Sequence, residues 1–307
     1  MTTLKVGTRA SLLARTQTRL LTEKLLRLVP GLNISEVLIQ TEGDISTSPL
    51  SQSPTPGIFV SALRESLLRG EVDFIVHSMK DLPAREHPLI ALAACPEREI
   101  ANDVLVSRNN MKLSELPPGS KIGTSSPRRA ASIRRVRPDL EVLDIRGNVD
   151  SRIHKVRGGQ YDATVLAWAG LNRIGRTSEI AEILGTESFL PAPSQGLLAV
   201  ECLKSRDDLV TLLGVLDNQA ARTISTAERS VLVRLNANCA TAIGALAEIV
   251  DSRLSLSAEL SVESTGESVR VSKSLIIGSD DAAAAASLGF AVAEELLLSS
   301  ISKKAAL

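Results

Sequence analysis

Aromatic side chains are scarce in this sequence: Trp168, Tyr161 and four phenylalanines make up 2% of its 307 residues. Proteins that bind single-stranded nucleic acid usually stack the bases on aromatic side chains. The formal net charge is also zero, because 35 lysines and arginines balance 35 aspartates and glutamates. A neutral chain has no overall field that attracts nucleic acid or an acidic membrane. We therefore expect no nucleic-acid partner, and any anion site must be built locally.

Long apolar runs are absent as well. The N-terminal residues MTTLKVGTRASLL reach polar and charged side chains at once. No later run approaches the roughly 20 apolar residues that a bilayer span needs. We expect a cytoplasmic protein with no membrane partner.

Cysteine occurs only three times, at Cys95, Cys202 and Cys239, with no C-x-x-C spacing and no histidine pairing. An odd number of distant cysteines predicts neither disulfides nor a zinc site, so we expect no metal. Cys95 and Cys202 lie in apolar, strand-like segments that are typical of a core. Cys239 lies in a loop of small residues, from Asn236 to Gly244, where a thiol is approachable.

Short β-rich runs alternate with helical patterns, which predicts an α/β fold with parallel or mixed sheets. At this length two or three domains are expected, although the pattern alone also allows one large α/β unit. Helices are predicted over Ser11 to Val29 and Phe59 to Arg69. Strands are predicted at Leu4 to Val6, Ile34 to Ile39, Val72 to His77, Lys121 to Gly123, Val142 to Ile145 and Ala163 to Ala167.

The pattern changes after Glu201. A helix around Thr223 to Leu235 precedes two alternating strands and a final helix near Asp281 to Leu298, for which Asp280 is the expected N-cap. This order predicts a separate, smaller α+β domain. Its two strands are predicted at Leu254 to Ser261 and Val269 to Leu275.

The stretch from Asp44 to Gly57 is dense in Ser, Thr, Pro and Gly and has no periodicity. Such composition predicts a mobile surface loop, and loops of this kind often cover active sites.

Two Gly-Thr turns, at 7–8 and 123–124, form a weak internal repeat. Each follows a predicted strand and precedes a predicted helix, with Ser11 or Ser126 as N-cap and Pro127 suited to a first helical turn. The free N–H groups and the dipole of a helix N-terminus attract carboxylate or phosphate. The repeat therefore predicts two similar α/β domains that share an anion-binding groove.

Arginines gather near the strand ends of the second repeat. Arg128 and Arg129 follow three hydroxyl residues at a strand-to-helix junction, a concentration of anion donors. Arg146 and Arg152 are nearly two helical turns apart and can line one mouth. Arg173 again follows a strand end, where ligands collect in open α/β sheets. A solvated surface arginine is the alternative for each one alone, but the cluster as a whole favours an anion site.

His77, Lys80 and Asp81 belong to the sequence HSMKDLP, at the end of the strand that begins at Val72. This position puts Lys80 and Asp81 at the carboxyl edge of the sheet. The lysine attracts carboxylates there, while the aspartate accepts N–H bonds or stabilises a cation. A solvated turn is the alternative. His77 is predicted to be structural, since no carboxylate and nucleophile pattern accompanies it.

Together these segments resemble one family. The motifs GTRAS, VHSMKDLP, GTSSPRR, DIRGNVDSR, LAWAGLNR and PAPSQG, followed by the late cysteine loop, are similar in kind and order to those of the porphobilinogen deaminase family. The resemblance runs from about Val6 to the C-terminal helix. It implies a transferase of tetrapyrrole (porphyrin and heme) biosynthesis, a hydroxymethylbilane synthase. Such an enzyme condenses four porphobilinogen molecules head to tail on a dipyrromethane primer, releases ammonia, and hydrolyses the product free.

The resemblance also implies the architecture. Two periplasmic-binding-protein-like α/β domains flank a cleft, and a small C-terminal α+β domain carries the cofactor cysteine. The implied boundaries are 1–97 with 197–217 for the first domain, 98–196 for the second and 218–307 for the third. One covalent dipyrromethane per chain, bound by a thioether to Cys239, and a monomeric state are expected.

The resemblance carries over to single residues. Asp81 matches the catalytic aspartate and Lys80 its neighbouring lysine. The implied cofactor-binding residues are Cys239, Lys80, Asp81, Thr124, Ser126, Arg128, Arg129 and Gln195. The implied substrate-binding residues are Arg9, Ser11, Gln17, Arg146, Arg152 and Arg173. Each pyrrole carries an acetate and a propionate, and buried charges must be paired, so clustered arginines are expected even in a neutral protein.

The sequence departs from the family pattern in several places. Asn238 stands where a glycine usually precedes the cysteine, and Ala242 replaces a proline. Pro56 occupies the place of a lysine that many members carry in the mobile loop. The run from Arg98 to Asp103 replaces the usual acidic and basic run after the first domain.

Two other functions are compatible with some of the residues. A non-catalytic carboxylate-binding protein can be built from the same paired α/β domains, but it needs no third domain with an exposed thiol. A phosphate-transfer enzyme could use the Gly-Thr turns, yet the sequence lacks a P-loop lysine and an obvious set of Mg²⁺ carboxylates.

Overall fold

The computed structural model describes residues 3–40, 60–238, 240–278 and 281–305. Within these ranges the chain divides into two compact units. Unit 1 contains residues 3–40, 60–99 and 196–222, and unit 2 contains the described residues of 100–195 and 223–305. The predicted loop from Asp44 to Gly57, with Pro56, lies outside the described residues, and so does Cys239.

Strands and helices alternate through most of the chain. The strands are β1 (Thr3–Arg9), β2 (Asn33–Ile39), β3 (Phe74–Ser78), β4 (Ile90–Ala94), β5 (Asp103–Ser107), β6 (Lys121–Gly123), β7 (Glu141–Leu143), β8 (Ala163–Ala167), β9 (Glu182–Ile183), β10 (Leu198–Leu203), β11 (Ile243–Val250), β12 (Arg253–Ser261) and β13 (Ser268–Ile276). The helices are α1 (Leu12–Leu28), α2 (Ser61–Leu68), α3 (Pro127–Val136), α4 (Val149–Arg157), α5 (Trp168–Arg173), α6 (Asp207–Gly214), α7 (Gln219–Leu235) and α8 (Ala282–Leu298).

Unit 1 is built on a mixed five-stranded sheet in the order β2-β1-β3-β10-β4. β1 is parallel to β2 and β3, whereas β10 returns from much later in the chain and is antiparallel to β3 and β4. Successive residues of a strand point to opposite faces. Accordingly Phe74 packs with Leu25 of α1, while Ile75 packs with Leu63 of α2. Helices thus cover both faces, which is why β3 is an almost continuous apolar run.

Unit 2 contains a second mixed sheet, in the order β7-β6-β8-β5-β9. β6 is parallel to β7 and β8, and β5 is antiparallel to β8 and β9. Its two faces are also covered, since Leu105 packs with Ile133 of α3 and Val104 packs with Ile153 of α4. The order and the strand directions repeat those of unit 1. This confirms the predicted α/β fold class, with two sheet domains of the same strand order.

The remaining part of unit 2 is a three-stranded antiparallel sheet, β11-β12-β13, packed against α8. Leu254 and Leu256 of β12 share one core with Leu288 and Val292 of α8, which confirms the small α+β domain. The helix is capped by Asp281, whose carboxylate accepts a hydrogen bond from the Ala284 N–H at 3.1 Å.

The predicted N-cap of this last helix, Asp280, is therefore wrong by one residue. A cap is recognised by the hydrogen bond that its side chain makes to the third residue of the helix, and two adjacent aspartates give the same signal in a sequence. Strands β6 and β8 have the predicted bounds, while β7 ends at Leu143 rather than at Ile145.

The domain boundaries stay a prediction, because division into two compact units does not separate the second domain from the third. In the part of the chain that the structure describes, no helix combines the length and the apolar character needed to span a bilayer.

Candidate active site

Unit 1 carries the first Gly-Thr pair at the carboxyl end of β1. A Cβ atom on Gly7 would lie 2.9 Å from side-chain atoms of both Ile39 and Ile75, so a larger residue here would have to displace them. Ser11 then caps α1, and its hydroxyl accepts a hydrogen bond from the Ala14 N–H at 3.4 Å. The capped helix is present, but the predicted turn at 7–8 is wrong, because Gly7 and Thr8 pair with β2 and the strand continues to Arg9.

A small pocket that is open to solvent lies beside this end of β1. It brings together four of the predicted site residues, namely Arg9, Ser11, Gln17 and Asp81. Gln17 is almost fully buried, and its side-chain amide donates to the Ser78 hydroxyl at 3.0 Å. The sequence had indicated Gln17 only through the family resemblance, because a glutamine within a helix has no local signal of a binding role.

Asp81 ends a single 3₁₀ turn, Met79–Asp81, that directly follows β3. The turn is anchored by Met79, which is fully buried and whose N–H donates to the Leu197 carbonyl at 3.0 Å. The Asp81 side chain is exposed, while Lys80 is half-buried. Asp81 is therefore an accessible carboxylate on a backbone that is held in place by the sheet.

His77 lies behind this turn and is buried. Its Nε2 atom is 3.4 Å from a carboxylate oxygen of Glu201, and Arg64 binds the same carboxylate through two hydrogen bonds of 2.5 and 3.0 Å. Burial alone would raise the pKa of Glu201, but His77 and Arg64 outweigh it and lower the pKa to about 2. This buried cluster connects β3, β10 and α2.

The second Gly-Thr pair, in unit 2, follows the same plan. A Cβ atom on Gly123 would lie 2.8 Å from Cδ1 of Ile145. Ser126 caps α3 and accepts from the Arg129 N–H at 3.4 Å, with Pro127 as the first helical residue. Thr124 is buried, and its hydroxyl accepts from the Ser126 N–H at 3.2 Å. The cap predicted at Ser126 is confirmed.

Arg128 and Arg129, at the start of α3, are both buried against one carboxylate, Asp103. Nη1 of Arg128 donates to Asp103 Oδ2 at 2.7 Å, and Nη2 of Arg129 donates to Oδ1 at 2.7 Å. The side-chain amide of Gln195 donates to the same Oδ1 at 2.8 Å. Residue-level reasoning missed Asp103 as a partner of these arginines. Its signal is a lone acid at the start of the apolar strand VLVS.

Arg152, on α4, is surrounded by positive charge. Burial is the main cause that lowers its pKa, and the charges of Arg129 and Arg146 lower it further against the opposing charge of Asp144, so that the pKa is about 10. Its Nε donates to the Gly147 carbonyl at 2.8 Å. When the surroundings of a guanidinium disfavour its charge, a nearby anion stabilises that charge. This part of unit 2 therefore favours anionic ligands.

Arg173 ends α5, directly after β8, as its sequence position indicated. Near it in sequence, the Trp168 indole N–H is buried and has no hydrogen-bond partner among the described residues. Arg146 and Arg173 are both half-buried.

Cys239 lies outside the described residues, but its neighbours on both sides are described. Oδ1 of Asn238 accepts from the Ala240 N–H at 2.8 Å, and the Asn238 N–H donates to Oγ1 of Thr241 at 3.1 Å. The asparagine that replaces the family's glycine thus stabilises the local turn through its side chain. Ala242 is buried.

Cys95 and Cys202 are fully buried, which confirms that they belong to the core. Burial raises the pKa of the Cys202 thiol to about 11. A thiol of this kind stays protonated and inert near neutral pH.

The residues of unit 2 fit an acidic ligand. Nε of Arg128 is buried and has no hydrogen-bond partner among the described residues. Such an orphaned charged donor is costly unless an acceptor reaches it. With the positive surroundings of Arg152, it makes a carboxylate the natural complement. Fold and site define an α/β protein with a cluster of arginines that is suited to an acidic small molecule.

Comparison with known proteins identifies the family. The model described as "Porphobilinogen deaminase, dipyromethane cofactor binding domain" matches residues 4–211, and the model of the C-terminal domain matches residues 223–298. The chain belongs to the porphobilinogen deaminase family. The family resemblance, the transferase class, the formation of hydroxymethylbilane and the dipyrromethane cofactor are thereby confirmed, and the alternative of a non-catalytic binding protein is not favoured.

Individual relatives agree with this assignment. Porphobilinogen deaminase 1 of Streptomyces coelicolor is 47% identical over 80% of this chain and 78% of its own. The porphobilinogen deaminase of Roseiflexus castenholzii is 44% identical over 96% of this chain and 95% of its own.

Among solved structures, the periplasmic VFT2 domain of BvgS from Bordetella pertussis matches with a TM-score of 0.41 and 17% identity, over 69% of this chain and 85% of that one.

Proposed function

We propose that this chain condenses four porphobilinogen molecules on a dipyrromethane attached to Cys239 and releases linear hydroxymethylbilane by hydrolysis. The observation that carries the proposal is the group of arginines in unit 2, where Arg128 and Arg129 are buried and the charges of Arg129 and Arg146 act on Arg152. Substrate and growing product both carry carboxylates, so such an environment is stabilised by them.

The cofactor-binding group is proposed to lie around the start of α3. Arg128 offers its orphaned Nε to a cofactor carboxylate, and Arg129 adds charge beside it. Backbone N–H groups at the capped N-terminus of α3 favour an anion in the same place. When bound, the cofactor supplies the pyrrole carbon to which the first substrate is joined. The proposed cofactor-binding residues are Cys239, Lys80, Asp81, Thr124, Ser126, Arg128, Arg129 and Gln195.

The substrate-binding group is proposed to hold the acetate and propionate of porphobilinogen. Arginine suits this task, because its planar fork binds a carboxylate through two parallel hydrogen bonds. The proposed residues are Arg9, Ser11, Gln17, Arg146, Arg152 and Arg173.

Asp81 is proposed as the catalytic residue. Loss of ammonia from the aminomethyl group leaves positive charge on the substrate pyrrole, and a fixed carboxylate near the ring N–H stabilises that charge as it develops. Asp81 is exposed on a turn that is anchored by the buried Met79. Such a carboxylate needs no rearrangement before the reaction begins.

We further propose a cytoplasmic monomer with the domain boundaries 1–97 with 197–217, 98–196 and 218–307.

The proposed function is tested by intact mass and by product formation. We expect purified protein to carry an adduct equal to two pyrrole units, and to convert porphobilinogen to hydroxymethylbilane with release of ammonia. Cys239→Ser is expected to lose the adduct and the activity together. Wild-type protein that makes hydroxymethylbilane while retaining an unmodified mass would contradict the attachment.

A further inference from the structure

Asp103 is a completely buried carboxylate, at the first residue of β5, that binds two arginines and one glutamine. Oδ2 accepts from Arg128 at 2.7 Å. Oδ1 accepts from Nε and Nη2 of Arg129 at 3.1 and 2.7 Å, and from the Gln195 amide at 2.8 Å. Three side chains from two separate segments of the chain therefore converge on a single acid.

The backbone completes the arrangement of the two arginines. Nη1 of Arg128 also donates to the Leu190 carbonyl at 2.7 Å, and Nη1 of Arg129 donates to the Val165 carbonyl at 3.0 Å. Each guanidinium is thus fixed by acceptors on more than one side. Rotation of either group would break several of these bonds at once.

The charges of this cluster do not cancel. One carboxylate binds two guanidinium groups, so these three almost fully buried side chains together carry a net charge of about +1, and Arg128 is attracted more weakly by Glu259. Burial by itself raises the pKa of Asp103, but the two arginines outweigh it, and the pKa is held well below its usual range. The acid therefore stays ionised, and the remaining positive charge is left for a further anion.

We propose that Asp103 is the positioning residue of the cofactor site. It holds Arg128 and Arg129 in place before the cofactor arrives, and it cancels one of their two charges, leaving Arg128 Nε and one positive charge for a cofactor carboxylate. This inference rests on the proposed function of the two arginines. Asp103 itself acts through them and does not touch the ligand.

Unit 2 offers a matched control, because Glu259 has the same chemistry at the opposite end of α3. This buried carboxylate binds Arg135 of α3 at 2.8 Å and Arg270 of β13 at 2.9 Å. Loss of the Glu259 charge disturbs its ion pairs with Arg135 of α3 and with Arg270 of β13. It leaves the contacts of Arg128 and Arg129 with Asp103 in place.

The experiment compares wild type, Asp103→Asn and Glu259→Gln as purified proteins of verified folded fraction. Intact mass gives the proportion of chains that carry the two-pyrrole adduct. Protein produced in cells that make no porphobilinogen starts without the adduct, and a time course with added porphobilinogen gives the rate at which its chains gain it. We expect Asp103→Asn to gain the adduct about 10- to 100-fold more slowly, because a misplaced binding group is costly on this scale. Glu259→Gln is expected to gain it at the wild-type rate.

A rescue separates positioning from stability. Asp103→Ala leaves space beside the two arginines, and formate supplies a small carboxylate. We expect formate to accelerate adduct formation in Asp103→Ala and to have no such effect in Glu259→Ala. A residue needed only for folding would show no rescue that depends on the ligand site.

The outcomes are distinguishable. Equal adduct formation in Asp103→Asn and wild type, or equal losses in Asp103→Asn and Glu259→Gln, would overturn the role of Asp103. Wild-type protein that never gains an adduct would instead overturn the proposed function. If Asp103→Asn does not fold, Asp103→Glu keeps the charge and shifts it by about one methylene. A slower gain of the adduct is expected there too, and an unchanged rate would count against the proposal.

Discussion

Among single residues, Asp81 is the one whose charge is expected to matter for turnover more than for binding. Asp81→Asn keeps the size and one acceptor of the side chain but removes the charge. We expect hydroxymethylbilane formation to fall roughly 10²- to 10³-fold, the usual cost of removing one preorganised electrostatic stabiliser. The adduct on the protein is expected to stay complete by mass. Near-normal turnover in Asp81→Asn would show that Asp81 is a solvated turn residue with no role in catalysis.

Asp81→Glu is the companion variant. Asp81→Glu keeps the charge and moves it by about one methylene. A lower rate of product formation with a normal adduct would show that catalysis needs the position of the carboxylate as well as its charge.

The arginines are expected to divide into two groups by their surroundings. Arg128 and Arg129 are buried at the start of α3, whereas Arg152 and Arg173 belong to α4 and α5. We expect Arg128→Leu and Arg129→Leu to lower the proportion of chains with the adduct. Arg152→Leu and Arg173→Leu are expected to keep the adduct and to raise KM for porphobilinogen or slow elongation. If mass measurements show equal adduct content in all four variants, the assignment of these arginines to two groups is wrong.

At the scale of elements, the Gly-Thr pairs depend on close packing between a strand end and its neighbours. Gly123→Ala would bring a Cβ atom within 2.8 Å of Cδ1 of Ile145. Overpacking of this kind typically costs about 1–3 kcal/mol, and urea unfolding should show a corresponding loss. Gly214→Ala is the control, because a Cβ atom there meets nothing within 4 Å. Its stability is expected to stay the same or rise by less than about 1 kcal/mol.

The pairing of β10 with β3 and α2 is expected to be sensitive to acid. The pKa of Glu201 is about 2 in the folded protein and 4.5 for the free group. The carboxylate therefore stabilises the fold fully above pH 4.5, and this contribution is lost as the pH falls from 4.5 through 2. A shift of this size corresponds to roughly 3 kcal/mol.

Glu201→Gln isolates this contribution. We expect its free energy of unfolding to be lower than that of wild type at pH 7, and the difference to shrink steadily below pH 4.5. Denaturant unfolding at pH 7, 4 and 3 measures the difference. A constant difference across this range would mean that Arg64 and His77 do not depress the pKa of Glu201.

At the scale of the whole molecule, local patterns predicted much of the fold. The α/β alternation, the two serine-capped helices and the C-terminal α+β pattern are all signals within about 15 residues of sequence, and each is present. The predictions missed what depends on distant partners. β5 and β10 are the antiparallel strands of their sheets, and no local signal shows that β10 pairs with β3, more than a hundred residues away.

For the site residues, too, local signals were found and long-range contacts were missed. Ser11, Ser126 and the arginines were found from motifs, because their positions beside strand ends are readable in one segment. Asp103 was assigned to a run of acidic and basic residues, and its contact with Arg129 spans 26 positions. Which acid neutralises which arginine is decided by packing of the whole domain, and one sequence does not contain that information.

Helix α3 is fastened at both of its ends, by Asp103 at the first turn and by Glu259 at the last. Near the last turn, the backbone of Gly266 is packed so closely that a Cβ atom there would lie 2.8 Å from the Arg135 nitrogen. The entropy of ordering Arg128 and Arg129 is thus lost when the chain folds, and little remains to be lost when a ligand binds. In hydrogen-exchange measurements the amides of α3 should then exchange only through global unfolding, at the same rate with and without a bound ligand once stability is matched. The anion site would be a rigid template rather than one that its ligand completes.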